Sequence, residues 1–262
     1  MELIFNEVNY KSNSQECLLN NITYTFKNGV TFVNGLSGLL IKKLLFQELK
    51  LKSGYVCLDS DGKVYDVSYL SNNVSFEKNN LKEEILYLTK LYNLKYKDVD
   101  KRLKDSLLMA NLNYKYLEMN FADMSLNELK KCFLVVSLYL NTKIFIFDYF
   151  EKQMSSKDIE YLKKLVYKLS SMYNKNIIIC SNNIDLFLNI IKNIVIFKDG
   201  NLVFNKSIKE VYDDELYKYI DEPKIINFIK YLDSKNHKFD HYIDIKELLK
   251  AIYRDVENKW DI

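Results

Sequence analysis

TFVNGLSGLLIKKLLF, Thr31 to Phe46, is an apolar strand, a glycine-bearing turn and an amphipathic helix in immediate succession. That is the layout of a phosphate loop. In the pattern GxxxxGK[ST], glycines let backbone N–H groups close on the phosphates, a lysine reaches the β and γ phosphates, and a hydroxyl holds Mg²⁺. Gly35, Ser37 and Gly38 occupy the first glycine, the Ser/Asn-type position and the second glycine of the GxSGxGKS form of this motif. Leu40, Ile41 and Lys42 then stand where Gly, Lys and Ser belong. Sliding the register by one to make Lys42 the phosphate lysine puts Leu36 and Ile41 on the two flanking glycine positions, so the first register is kept. The same residues also read as an ordinary turn between a strand and a helix.

Working outward, 262 residues suit one sizeable domain plus an appendage, with enough length to bury a full core. A net charge of +3 from 38 basic and 35 acidic residues describes a mixed surface, and Arg102 and Arg254 are the only arginines. This excludes a nucleic-acid footprint. Cys17, Cys57, Cys132 and Cys180 lack metal-type spacing. Cys132 and Cys180 lie in apolar runs, so buried thiols in a reducing compartment are expected, with no disulfide. MELIFNEVNY carries no basic leader region, and no apolar run approaches the roughly 20 residues that span a bilayer. A cytosolic protein is expected, unless a partner holds it at a membrane. Glycine is scarce, 6 of 262 residues against about 7% in ordinary proteins. Gly29, Gly54, Gly62 and Gly200 have turn-type neighbours and are expected between strands, which leaves Gly35 and Gly38 for binding.

Glu2 to Tyr10 and Ile22 to Phe26 alternate apolar and polar residues and predict an antiparallel lead-in to the strand Val30 to Val33. A helix is expected over Leu39 to Leu49, then a hairpin of Gly54 to Leu58 with Lys63 to Val67, then a polar loop from VSYLSNN. Helical spacing between Leu81 and about Leu112 predicts two helices of an insertion, placed at about 76–135. Ser125 and Glu128 form a capping box ahead of the apolar helix Cys132 to Leu140. KIFIF, Lys143 to Phe147, is a continuous apolar run of the kind a central parallel strand gives, and Asp148 closes it where a carboxylate can reach Mg²⁺. A helix over Ser156 to Met172, a buried strand over Asn176 to Cys180 and a hairpin over Ile194 to Phe204 follow. Alternating strands and helices predict an α/β fold with a mostly parallel sheet over residues 1–212. Residues 213–262 read as a C-terminal helical segment, with Pro223 opening Lys224 to Asp233 and a second helix over Ile245 to Tyr253. His237 and His241 have no third ligand nearby and are expected in solvent.

This order resembles the ATP-binding subunit of an ABC transporter, a P-loop NTPase fold, over nearly the whole chain. The stations are GLSGLLIKK, the signature-like YLEMNFADMSLNELKK, KIFIFDYFEKQMS, NIIICSNNID and the terminal hairpin NIVIFKDGNLVFNKSIKEVY. The tail DEPKIINFIKYLDSKNHKFDHYIDIKELLKAI is similar to that of the ATPase subunits of energy-coupling factor transporters. The resemblance implies ATP and Mg²⁺ as cofactors and a heterodimer with a second ABC ATPase subunit. It further implies a polytopic membrane subunit above, an importer of vitamins or metal ions, and a peripheral place on the cytoplasmic face of the membrane. The tail is expected at the contact between ATPase subunits, or docked on its own domain.

Carried over position by position, the resemblance exposes departures. Ser12 stands at the adenine-stacking aromatic, with Tyr10 two residues before it. Asn72 replaces the loop glutamine. Ser125 persists in the signature, but Leu126 and Asn127 replace its two glycines. Tyr149 takes the place of the general base and Asn182 that of the switch histidine. A phenol with a pKa of about 10 is no carboxylate base at neutral pH, and an amide does not titrate. Ile41 also removes the positive charge that faces the phosphates. Lys42 and Lys43 either supply compensating charge or are solvated. A pseudo-ATPase subunit is therefore expected, with a slow ATPase or a nucleotide-independent scaffold as the alternatives. Asp148 remains as the Mg²⁺ ligand that the resemblance implies where nucleotide binds.

Overall fold

The computed structural model describes residues 1–12 and 17–260. Among the described residues nine strands form two sheets. The larger has the order β5 (Val67–Ser71), β6 (Ile144–Asp148), β7 (Asn176–Cys180), β3 (Gly29–Asn34), β8 (Asn193–Lys198), β9 (Asn201–Ser207). Its strands are parallel except β9, which returns antiparallel on β8. The smaller sheet is antiparallel, with β1 (Leu3–Lys11) between β2 (Cys17–Phe26) and β4 (Ser53–Leu58).

The continuous apolar runs have a simple cause, because both faces of the large sheet are covered. Phe145 and Phe147 of β6, with Ile177 and Ile179 of β7, enter one core. Ile144, Ile146, Ile178 and Cys180 point the other way into a second core. The first core lies under the helices α2 (Leu81–Leu91), α3 (Val99–Met109), α4 (Leu126–Tyr139) and α5 (Ser156–Ser171). The second is shared by α1 (Gly38–Leu45) and the small sheet. Because β3, β6 and β7 are parallel, their C-terminal ends lie together, which is where open α/β sheets place their sites.

Several expectations are corrected. The hairpin over residues 54–67 does not form: β4 pairs with β1, and Val64–Asp66 is one turn of 3-10 helix. VSYLS is not a polar loop but β5, because Val67 and Leu70 are buried against β6 and its surroundings. Gly54 lies inside β4 at φ +77, where a Cβ would meet the Asn6 and Glu7 carbonyl oxygens at 2.4 and 2.3 Å. It serves a close strand approach rather than a turn. α1 stops at Leu45 instead of Leu49, with Gln47 in the left-handed region at φ +57.

The tail folds as α6 (Lys224–Ser234), with Pro223 at its N-cap, and α7 (Ile245–Trp260). Ile226, Ile229 and Leu248 are buried, while Phe228, Tyr231, Ile245, Leu249 and Tyr253 are exposed. The histidines are not simply solvated: His241 stacks on Tyr212 with centroids 4.1 Å apart, and His237 Nδ1 lies 3.1 Å from an Asp255 carboxylate oxygen.

Candidate functional site

The loop keeps its glycines for packing. Gly35 has φ +78, and a Cβ there would fall 1.8 Å from the Phe197 carbonyl oxygen. A Cβ on Gly38 would lie 2.8 Å from Ile146 Cγ2 and 2.9 Å from Asp148 Cβ, so this glycine lets α1 approach β6. Ser37 caps α1, its Oγ accepting from the Leu39 N–H at 3.1 Å. Ile41, at the phosphate-lysine position, is fully buried in the second core, and Leu40 packs partly buried against it. Lys42 pairs with Glu48 at 2.9 Å, and Lys43 is half-buried. An aliphatic group inside a core cannot face a phosphate.

Asp148 is drawn onto the same helix end. Its Oδ2 accepts from the Leu39 N–H at 3.1 Å, from the Tyr69 hydroxyl at 2.9 Å and from Ser37 Oγ at 3.4 Å. The carboxylate thus satisfies a helix N-terminus that a phosphate would otherwise occupy. Burial, then the hydrogen bond and charge of Asp148, raise the Tyr69 phenol above its ordinary pKa. The other oxygen, Oδ1, is buried with no hydrogen-bond partner. That lone pair fits a cation, while in the loop beside it Ile41 is buried and the Leu39 N–H is already bonded to Asp148.

Tyr149 and Asn182 are brought together. Tyr149, at φ +50, donates from its hydroxyl to Asn182 Oδ1 at 2.8 Å, and Asn34 Nδ2 donates to the same oxygen at 3.1 Å. Burial, then the charge of Asp148, raise the Tyr149 pKa, so the phenol stays protonated. A neutral phenol at 149, the amide at 182 and the Asn34 amide thus form one hydrogen-bonded cluster. Asn72 Nδ2 reaches Gln153 Oε1 at 3.3 Å, at the edge of the same loop. Ser125 is elsewhere: its hydroxyl donates to Glu128 Oε2 at 2.7 Å within the capping box, and no hydrogen bond joins it to the loop or Asp148 among the described residues. Tyr10 points into the second core, 8% exposed, and Ser12 follows at the strand end, so neither offers an aromatic face.

Tyr69, Lys130 and Glu151 escape sequence reading. Lys130 of α4 is fully buried and donates to the carbonyls of Phe150 and Lys152 at 2.8 and 2.5 Å. Burial pulls its pKa down to about 8, opposed by Glu151. Glu151, 8% exposed, accepts from Ser181 Oγ at 2.5 Å. A signal existed for Lys130, which falls four residues before the buried Leu134, on the stripe that α4 turns inward.

No family model matches the chain. It is 24% identical over 262 residues to a Pyrococcus horikoshii protein provisionally named an ABC transporter ATP-binding protein, covering 95% of this chain and 98% of the relative. It is 21% identical over 267 residues to the energy-coupling factor transporter ATP-binding protein EcfA1 of Ureaplasma parvum, covering 96% and 90%. The solved structure of CbiO1 from Clostridium perfringens, part of an ABC transporter complex, superposes with a TM-score of 0.67 at 17% identity, over 87% of this chain and 98% of that one.

Proposed function

We propose that this chain, whose homologues are ABC transporter ATP-binding proteins with energy-coupling factor subunits among them and whose fold is that of ABC ATPase domains, is a catalytically silent member of an ATPase pair. The observation that carries this reading is Asp148 closing on the Leu39 N–H at the mouth of a loop whose lysine position is a buried isoleucine. With no charge at position 41 and neutral groups at 149 and 182, the chain lacks the groups that stabilise phosphoryl transfer or position water. Hydrolysis then belongs to a second ABC ATPase subunit, and this chain transmits closure to a polytopic membrane subunit on the cytoplasmic face of the membrane. No helix among the described residues is long and apolar enough to cross a membrane itself.

A surface for the membrane subunit is at hand. A groove of about 420 Å³ runs between the insertion and the sheet, and its lining includes Phe46, Tyr65, Phe76, Leu88, Tyr92 and Phe133. The exposed stripe Phe228, Tyr231, Ile245, Leu249 and Tyr253 on the tail suits the partner ATPase. The resemblance to energy-coupling factor subunits makes vitamins or metal ions the cargo. Purified chain is expected to turn over ATP no faster than its Asp148→Asn variant, and calorimetry with ATP and Mg²⁺ to give binding weaker than micromolar, short of about −8 kcal/mol. Magnesium-dependent turnover lost in Asp148→Asn overturns the proposal in favour of a slow ATPase, the reading to which the unpartnered Oδ1 points.

A further inference from the structure

The N-terminal ends of β6 and β7 carry a second cavity, about five residues along the strands from Asp148 and so roughly 16 Å away. It measures about 290 Å³ and lies where α3, the end of α4 and the end of α5 meet the sheet. Met109, Leu138, Phe145 and Leu169 supply apolar lining, and Arg102 and Lys175 supply charge.

Lys175 is 7% exposed, and among the described residues its ammonium donates to Asn141 alone, to Oδ1 at 2.8 Å and to the carbonyl at 3.3 Å. Arg102 donates through Nε to the Tyr139 carbonyl at 2.5 Å and lies 4.0 Å from the centroid of the Tyr96 ring. Among the described residues no carboxylate comes within 4.0 Å of either cation. Burial, followed by the charge of Lys143, brings Lys175 down to about 8, with Asp66 opposing and Arg102 adding to the fall. A buried ammonium beside a guanidinium and short of countercharge is costly unless an anion supplies it. Asp98, Lys101 and Asp105 line the same cavity but are exposed, so the carboxylates lie at its rim. That arrangement admits one anionic group at depth and disfavours a polyanion at the mouth.

We propose that this cavity binds a small organic anion with a single acidic head group, its carboxylate or phosphate ester meeting Lys175 and Arg102 and its apolar body lying on Phe145 and Leu169. Such a ligand touches α3 of the insertion, the α4–β6 turn and the α5–β7 turn at once. Its occupancy therefore clamps the insertion onto the sheet. The inference is independent of whether the Asp148 site takes nucleotide.

Calorimetry and thermal unfolding of the full chain test it, with phenylacetate and butyl phosphate as the two head-group probes and ATP as the polyanion. Saturable binding of one head-group probe at a Kd of about 1 mM or tighter is expected, with a matching rise in Tm and no effect of ATP that Lys175→Met removes. Lys175→Met should weaken the probe by about tenfold or more and Lys175→Arg should retain it. Should Lys175→Met fail to fold, Met109→Trp fills the cavity from α3 and should abolish binding. Absence of saturable binding by both probes, an unchanged Kd in Lys175→Met, or an unchanged Kd in Met109→Trp overturns the proposal.

Discussion

Lys130 holds the loop that follows β6 by placing a fully buried ammonium against two backbone carbonyls, with Glu151 and Ser181 hydrogen-bonded on the other side of that loop. Its pKa, lowered by burial to about 8, lies below the value of about 10.4 for an unfolded lysine. Between these values the unfolded chain keeps a proton that the native chain has released. Stability attributable to this residue therefore rises with pH across that window. Cys132 and Cys180, whose thiols burial pushes up, titrate in the opposite sense and mask the effect in the parent alone. The difference between parent and Lys130→Met cancels them. From about pH 8 to about pH 10.4 the parent should gain on the order of 1–3 kcal/mol over the variant in urea unfolding. A difference that stays flat across this range would show that Lys130 keeps an ordinary pKa.

At the scale of elements, the contact of α1 with β6 decides what the loop can do. Gly38 allows an approach so close that Leu39 N–H and Asp148 meet, and the helix N-terminus is then satisfied from within the chain. Gly38→Ala forces a Cβ against Ile146 and Asp148, both in a strand held from two sides, so neither neighbour can yield cheaply. A loss of about 1–3 kcal/mol is expected from overpacking, read as a lower urea midpoint with an unchanged slope. A neutral result would mean that α1 shifts freely on the sheet. The absent hairpin also belongs to this scale. Asp59 to Gly62 carry good turn residues, yet β4 finds β1 and β5 finds β6, because those pairings bury Val56, Val67 and Leu70.

For the whole molecule, the tail has two faces with different duties. Leu216, Ile226, Ile229 and Leu248 are buried within the chain itself, so docking on its own domain is part of the answer. The stripe on the same helices that stays exposed is the one the proposed pairing would cover. Ile226→Ala should therefore cost the isolated chain about 2–5 kcal/mol, the range for emptying a core site. Phe228→Ala, at a residue 45% exposed, should cost under about 1 kcal/mol and instead reduce co-elution with a competent partner ATPase. A stable Ile226→Ala chain would show that the tail does not dock, and full co-elution of Phe228→Ala would move the partner contact elsewhere.

What the sequence determined by itself was local or periodic. Continuous apolar runs at residues 144–147 and 177–180 announce strands covered on both faces, since a strand with one wet face must alternate. The Ser125–Glu128 cap and the proline before α6 are likewise written in residues close along the chain, because the bonds they make span only three or four positions. That positions 41, 149 and 182 carry isoleucine, tyrosine and asparagine, none of them a lysine, carboxylate or histidine, is legible as residue types alone. Tertiary structure decided the rest. That Asp148 meets Leu39 and Tyr69, that Lys130 lies beneath the Phe150 carbonyl, and that Arg102 comes beside Lys175 are contacts across 20 to 109 residues. Such meetings depend on which strand pairs with which, and that choice is a sum of burial terms over the whole core, with no short-range period to carry it.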